Sequence, residues 1–303
     1  MIGVGLLAGF VVVEIVARLA FADAAAQMRL PAYWFEPSDI PGVPFVLRPN
    51  AEGWTNNLGL RMQSDVSIER TPGAFRLLVV GDSVTAISKG ETSANQLYSN
   101  RLQEPLSRHL GKAVEVLTLA SPGLSLAQDL ALLRARGLRL RPDLVMIAYA
   151  FNDPIRTDIV EAANIDRFRW LRSAQLLQQR LYESESATAP EQWYRSGSKV
   201  YRRLDATFAD LSRLAATQRI VVVPLPLSRR DAAEQLHLPV VAELCRRHGL
   251  HHIDIYPDLA PYLASLTPEQ SSDGLHFDAA GHRAVAEALL EPLAAMILRD
   301  DGP

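Results

Sequence analysis

The chain has 303 residues, 48% of them hydrophobic and 21% charged, with 19 Pro and 17 Gly. That balance excludes a disordered chain, a collagen-like repeat and a coiled coil, and it predicts one large domain with appendages or two modest ones. With 31 Lys and Arg against 34 Asp and Glu the formal charge is −3, which gives no global attraction to nucleic acid, so no nucleic-acid partner is expected.

Ile2 to Ala22 is an apolar run interrupted only by Glu14 and Arg18. As a helix it spans about 31 Å, the thickness of a bilayer's hydrocarbon core, so residues 1–22 predict a transmembrane anchor. Glu14 and Arg18 stand four apart and face each other, which lowers the cost of both charges. A cleaved signal peptide is the alternative, because Ala24-Ala25-Ala26 resembles a cleavage site, although no Lys or Arg precedes the apolar run. The expected placement is membrane-anchored, with the catalytic body on the extracytoplasmic side.

Residues 23–73 carry Pro31, Trp34, Pro37, Pro41, Pro44, Pro49 and Trp54 without helical period. They predict an extended arm that packs on the domain. From Phe75 a β–α alternation begins. Strands are expected at Phe75–Val80, Val114–Leu119, Leu144–Tyr149, Ile220–Val223 and His251–Ile255. Helices are expected at Asn95–Leu110, Leu126–Gly137, Asp231–His248 with a break near Pro239, and Ala279–Leu298 with a kink at Pro292. Residues 154–200 interrupt the rhythm and read as an inserted cap or flap. The domain therefore runs over 74–303 with an insertion at about 154–200. Cys245, the only cysteine, excludes an intramolecular disulfide, a Cys-rich zinc site and an iron–sulfur cluster, and reads as a core thiol.

Five strands separated by helices predict an α/β fold, a doubly wound parallel sheet with ligands at the C-terminal ends of its strands. Past those ends stand Gly81-Asp82-Ser83, Ser121-Pro122-Gly123 and Asn152-Asp153, with Asp273 and His276 in the loop before the last helix. These residue types match acyl transfer. Ser83 can act as nucleophile if a base is adjacent. His276 can take and return the proton, with Asp273 fixing its tautomer. The amides of Ser83 and Gly123 and the side-chain NH2 of Asn152 can receive an oxyanion. Asp82 reads as a residue that orders its turn by accepting backbone amides. A metal on His276, Asp278 and His282 is an open but disfavoured alternative, since His-x-Asp-x3-His is no familiar ligand spacing.

Gly81-Asp82-Ser83-Val84, Ser121-Pro122-Gly123, Phe151-Asn152-Asp153 and Asp273-Gly274-Leu275-His276 resemble, in order, the four blocks of the GDSL or SGNH hydrolases. The likeness covers about Phe75 to Leu298. It implies a flavodoxin-like fold, the SGNH hydrolase fold, with Ser83 as nucleophile, Gly123 and Asn152 as oxyanion donors and Asp273–His276 as base pair. The segments Leu138-Arg139-Leu140-Arg141-Pro142-Asp143-Leu144 and Asn57-Leu58-Gly59-Leu60-Arg61 are similar to membrane-anchored bacterial members. Three departures stand out: Val84 stands where Leu is usual, a harmless swap; Ala150 occupies the place of a usual Gly; and the second block lacks the Asn often found before its Gly.

The resemblance implies a serine esterase that hydrolyses O-acyl, above all O-acetyl, esters through an acyl-serine, with no cofactor and no metal. The substrate expected is an acylated small molecule or glycan, on envelope or exported carbohydrate or lipid. An acyltransferase using the same acyl-enzyme, and an inactive anchored binding or assembly protein, remain the alternatives.

Overall fold

The apolar runs after Ala74 become the strands of one parallel sheet because each alternates its side chains between two buried faces. A computed structural model describes residues 2–20, 34–90, 93–155, 171, 173, 189–229 and 235–299. Its sheet comprises β3 (Phe75–Gly81), β4 (Val114–Ala120), β5 (Leu144–Tyr149), β6 (Ile220–Pro224) and β7 (His251–His252), in the order β4-β3-β5-β6-β7, all parallel. Two further strands, β1 (Phe35–Pro37) and β2 (Phe45–Leu47), pair antiparallel in the arm.

Leu78, Val80, Val145, Ile147, Ile220 and Val222 point to one face, while Leu77, Val79, Leu144, Met146, Val221 and Val223 point to the other. Both sets are buried, which is why these strands read as continuous apolar runs rather than alternating ones. The first face is covered by α5 (Leu126–Ala135), α7 (Lys199–Ala215) and α8 (His237–His248), together with the arm residues Phe35, Phe45, Leu47, Trp54 and Leu60. The second is covered by α3 (Tyr98–Arg101), α4 (Gln103–Leu110), α9 (Tyr256–Ser265) and α10 (Ala279–Arg299). Two short helices complete the set among the described residues: α2 (Ser83–Ala86) after β3, and α6 (Pro190–Trp193). The result is a three-layer α/β fold in which the chain moves from β3 outward to β4 and then back across β3 to β5. That reversal opens a crevice at the C-terminal ends of β3 and β5.

Several expectations change. Asn95–Leu110 is not one helix but a 3-10 turn (Ala94–Gln96) followed by α3 and α4. Pro105 falls in the first turn of α4, where its missing N–H removes no intrahelical bond. Pro239 likewise sits in the first turn of α8 and breaks nothing; the expected start at Asp231 lies outside the described residues. The last strand is two residues rather than five, because Asp254 accepts the Tyr256 amide and opens the unpredicted α9. Of the insertion at 154–200, most lies outside the described residues. Cys245 is buried, and burial pushes its thiol up to about 12.

At the N-terminus, α1 (Ile2–Ala20) occupies the described part of the expected apolar run; the last two positions of that run, 21 and 22, lie outside the described residues. Among the described residues no helix is long and apolar enough to cross a membrane. Glu14 and Arg18 pair at 2.8 Å on the helix, and Glu14 also accepts the amide and hydroxyl of Ser173.

The arm is fixed at two points. Its Arg76-side anchor is ionic: the buried guanidinium of Arg76 donates to Glu115 at 2.7 Å and to the carbonyls of Ile68 and Leu140. Nearer the site, the Asn56 carboxamide oxygen accepts the amides of Leu58 and Leu60. Gly59 stands between them at φ +73, and a Cβ there would meet the Leu47 carbonyl oxygen at 2.7 Å. The turn delivers Arg61 into the interior.

Candidate active site

The nucleophile turn starts where β3 ends. Gly81 has no room for a side chain, since a Cβ would lie 2.6 Å from Thr85 Oγ1 and 3.0 Å from the Ala148 carbonyl oxygen. Asp82 is the N-cap of α2, and its carboxylate accepts the Val84 amide at 2.9 Å, as its residue type predicts. Ser83 is therefore the first helical residue, held at the sheet edge. Burial raises the Asp82 carboxyl above its usual range, against the opposing pull of the Val84 amide, the Asn152 side chain and His276.

The loop before α10 brings the base to the serine across 193 positions. Ser83 Oγ lies 2.9 Å from His276 Nε2, and His276 Nδ1 lies 2.9 Å from Asp273 Oδ2. With the ring proton on Nδ1, His276 donates to Asp273 and accepts from Ser83. The other carboxylate oxygen of Asp273 accepts the amides of Leu275 and His276 at 2.9 and 3.0 Å and the Lys89 ammonium at 2.9 Å. Burial pulls this carboxyl upward, but the Leu275 amide, Lys89 and His276 outweigh it and hold it down at about 2. Asp273 is thus ionised wherever the histidine can work.

The oxyanion side comes from the two neighbouring loops. Gly123 adopts φ +85, a left-handed conformation that favours glycine. Its turn is joined to the nucleophile strand through Ser121, whose amide donates to the Gly81 carbonyl at 3.1 Å. The Gly123 amide itself has no hydrogen-bond partner among the described residues. Asn152 Nδ2 donates to Asp82 Oδ2 at 3.0 Å, so one of its two N–H bonds is committed to the residue before Ser83, and the other has no partner among the described residues. The Leu126 amide, at the start of α5, donates to the Asp153 carbonyl at 3.2 Å and ties these two loops together. All five residues singled out in the sequence stand on this rim. Ala150 is not at positive φ, and its amide donates to Asp153 at 2.9 Å, so the replacement of a usual Gly introduces no backbone strain.

Beneath the rim lie two more buried carboxyls. Asp129 and Asp153 are both almost fully covered, each with one oxygen lacking a partner among the described residues. Burial first, then mutual repulsion with Asp82 and, for Asp153, with Asp129, pushes both well above the usual carboxyl range. Against the same loop, the Phe151 ring packs at 5.6 Å from Trp193 and edge-on at 5.5 Å from His237.

His282 does not join a metal site with His276. Its Nε2 donates to the Ile87 carbonyl at 3.0 Å and its Nδ1 accepts the Tyr98 amide at 3.2 Å, and burial depresses it to about 4. Two residues escaped the sequence reading. Lys89 carried one signal, being one of only three lysines. Arg61 carried only its place in the Asn-Leu-Gly-Leu-Arg segment.

A serine, imidazole and carboxylate in one hydrogen-bonded line, on the switch-point rim of a five-stranded parallel sheet, define a serine hydrolase site. The chain belongs to the GDSL-like lipase/acylhydrolase family, whose model matches residues 79–284, and it is accordingly a serine hydrolase acting on ester bonds. No curated protein sequence matches it. Among solved structures it is similar in fold to LAE5, an alpha/beta hydrolase enzyme from the metagenome of Lake Arreo, Spain. The TM-score is 0.51 at 17% identity, covering 74% of this chain and 96% of that one. It is also similar to Axe2, an acetylxylan esterase from Geobacillus stearothermophilus, with TM-score 0.50 at 16% identity, covering 72% and 93% of the two chains.

Proposed function

We propose that the chain hydrolyses O-acyl esters, O-acetyl esters above all, through an acyl-Ser83 intermediate. Ser83 Oγ attacks the ester carbonyl carbon as its proton passes to His276 Nε2, and Asp273 stabilises the imidazolium through Nδ1–H. The tetrahedral oxyanion takes hydrogen bonds from the Ser83 and Gly123 amides and from Asn152 Nδ2. Collapse breaks the C–O bond, and the departing alkoxide takes the proton from His276. Water then attacks the acyl-serine with His276 again as base, releasing the carboxylic acid and restoring Ser83. The observation that carries this reading is the 2.9 Å contact of Ser83 Oγ with His276 Nε2, continued at 2.9 Å to Asp273. An inactive scaffold has no need of that alignment.

The substrate belongs, in this reading, to acetylated envelope or exported carbohydrate or lipid, with the chain attached to a membrane through α1. Exposed Phe10, Val12, Val13, Ile15, Val16 and Leu19 on α1 support contact with an apolar phase. Replacing Ser83 by Ala is expected to abolish hydrolysis of p-nitrophenyl acetate with an unchanged circular dichroism spectrum. Retained turnover would exclude Ser83 as nucleophile.

A further inference from the structure

The segment that leaves the nucleophile helix runs directly to the acid–base loop. The Lys89 amide donates to the Phe277 carbonyl at 2.9 Å, and Lys89 forms a parallel bridge with Asp278. Its side chain is mostly buried, and the ammonium donates to the Gln270 carbonyl at 2.6 Å while pairing with Asp273 Oδ1 at 2.9 Å. Among the described residues Asp273 Oδ2 pairs with His276, while Oδ1 takes the ammonium together with the Leu275 and His276 amides. The carboxylate is thereby divided between two tasks, one oxygen for anchoring, to which lysine contributes the charged partner, and one for the imidazole.

We propose that Lys89 is a positioning residue for the Asp273–His276 pair, orienting the carboxylate through Oδ1 and setting the acid limit of Ser83 reactivity through its charge. The proposal rests on the reading of Ser83, His276 and Asp273 as the reacting groups. The ammonium, held 2.9 Å from Asp273 Oδ1, places a fixed positive charge beside the carboxylate that orients the imidazole, and it repels a second positive charge on that ring. The other groups that face the pair are constant across the test. Asp82 on the nucleophile turn and His282 on α10 both interact electrostatically with His276. Arg229 lies over Gly274 from the segment after β6. The Asp278 carboxylate is taken up by Tyr262, Gln270 and the Gly281 amide.

The test is the rate at which a fluorophosphonate labels Ser83 in the full chain, measured from acid to alkaline pH, for wild type, Lys89→Met, Lys89→Gln and Lys89→Arg. Labelling needs an activated serine but no particular ester. Lys89→Met is expected to slow the plateau rate by about 10-fold or more, as loss of orientation does. It is also expected to move the acid limb to higher pH, as loss of a nearby like charge does. Lys89→Arg keeps the wild-type limb. Lys89→Gln, which retains a donor without the charge, shifts the limb and serves equally if the Met variant does not fold. A slower plateau with an unmoved limb in both uncharged variants would show a merely structural role and overturn the proposal, as would a limb in Lys89→Arg that moves with them. An unlabelled wild type would instead sink the underlying reading, and the proposal with it.

Discussion

Arg61, on the arm, donates through Nε to the carbonyl of Ala86, the last residue of the helix that begins with Ser83, at 2.8 Å. Its Nη1 donates to the Trp54 carbonyl at 2.7 Å, and its guanidinium stacks 4.2 Å from the Trp54 ring. The arm is thereby part of the nucleophile's scaffold. Burial lowers this guanidinium to about 10, still protonated at neutral pH.

Arg61→Met is therefore expected to remove the donors of two buried carbonyls. Each such loss costs about 1 to 3 kcal/mol, so a destabilisation of roughly 2 to 6 kcal/mol is expected in denaturant melts, together with a lower kcat. Arg61→Lys would recover only part, because one ammonium cannot reproduce the planar fork that spans both acceptors. Equal stability of Arg61→Met and wild type would contradict the brace.

Asn152 tests the oxyanion site. Asn152→Ala is expected to lower kcat by about 10²- to 10³-fold with KM little changed, the signature of a donor used in the transition state. The carboxamide also covers Asp82, so the melting temperature should be read beside kcat. A loss confined to KM would place Asn152 in ground-state binding instead.

The four catalytic blocks were legible in the sequence because each lies in a turn directly beside a regular element, and turn chemistry is local. The sheet was legible too, since strands buried on both faces leave apolar runs such as Leu144–Tyr149. Local pattern failed where tertiary contacts decide. The arm's role depends on Arg61 reaching Ala86, 25 positions away, and Lys89 acts on Asp273, far along the chain. The edge strand at His251 is too short to show a period, and α7 begins inside what read as an insertion. In α1 the apolar composition was evident, but the polar contact of Glu14 with Ser173 was not.

The buried carboxyls make a prediction about pH. Asp129 is raised well above its value in the unfolded chain. The folded state therefore binds its proton more tightly, and its contribution to stability is fully present below the unfolded pKa and is lost as pH rises toward the folded one. His237 and His282, depressed to about 4, act oppositely: their contribution is present above the unfolded pKa and is lost as pH falls through the range between the two values. The difference between variants isolates the carboxyl. Asp129→Asn, neutral at every pH, is expected to gain in melting temperature relative to wild type as pH is raised from mildly acid to alkaline. A difference that stays constant with pH would mean that Asp129 is ionised in the fold.

The most direct test of the account is to quench the chain early in its reaction with p-nitrophenyl acetate, at mildly acid pH where deacylation is slowed, and to map the adduct by peptide mass spectrometry. One acetyl group on the peptide containing Ser83, missing in Ser83→Ala and strongly reduced in His276→Ala, is the predicted result. Acetyl found on another residue, with Ser83 unmodified while nitrophenol is released, would contradict it.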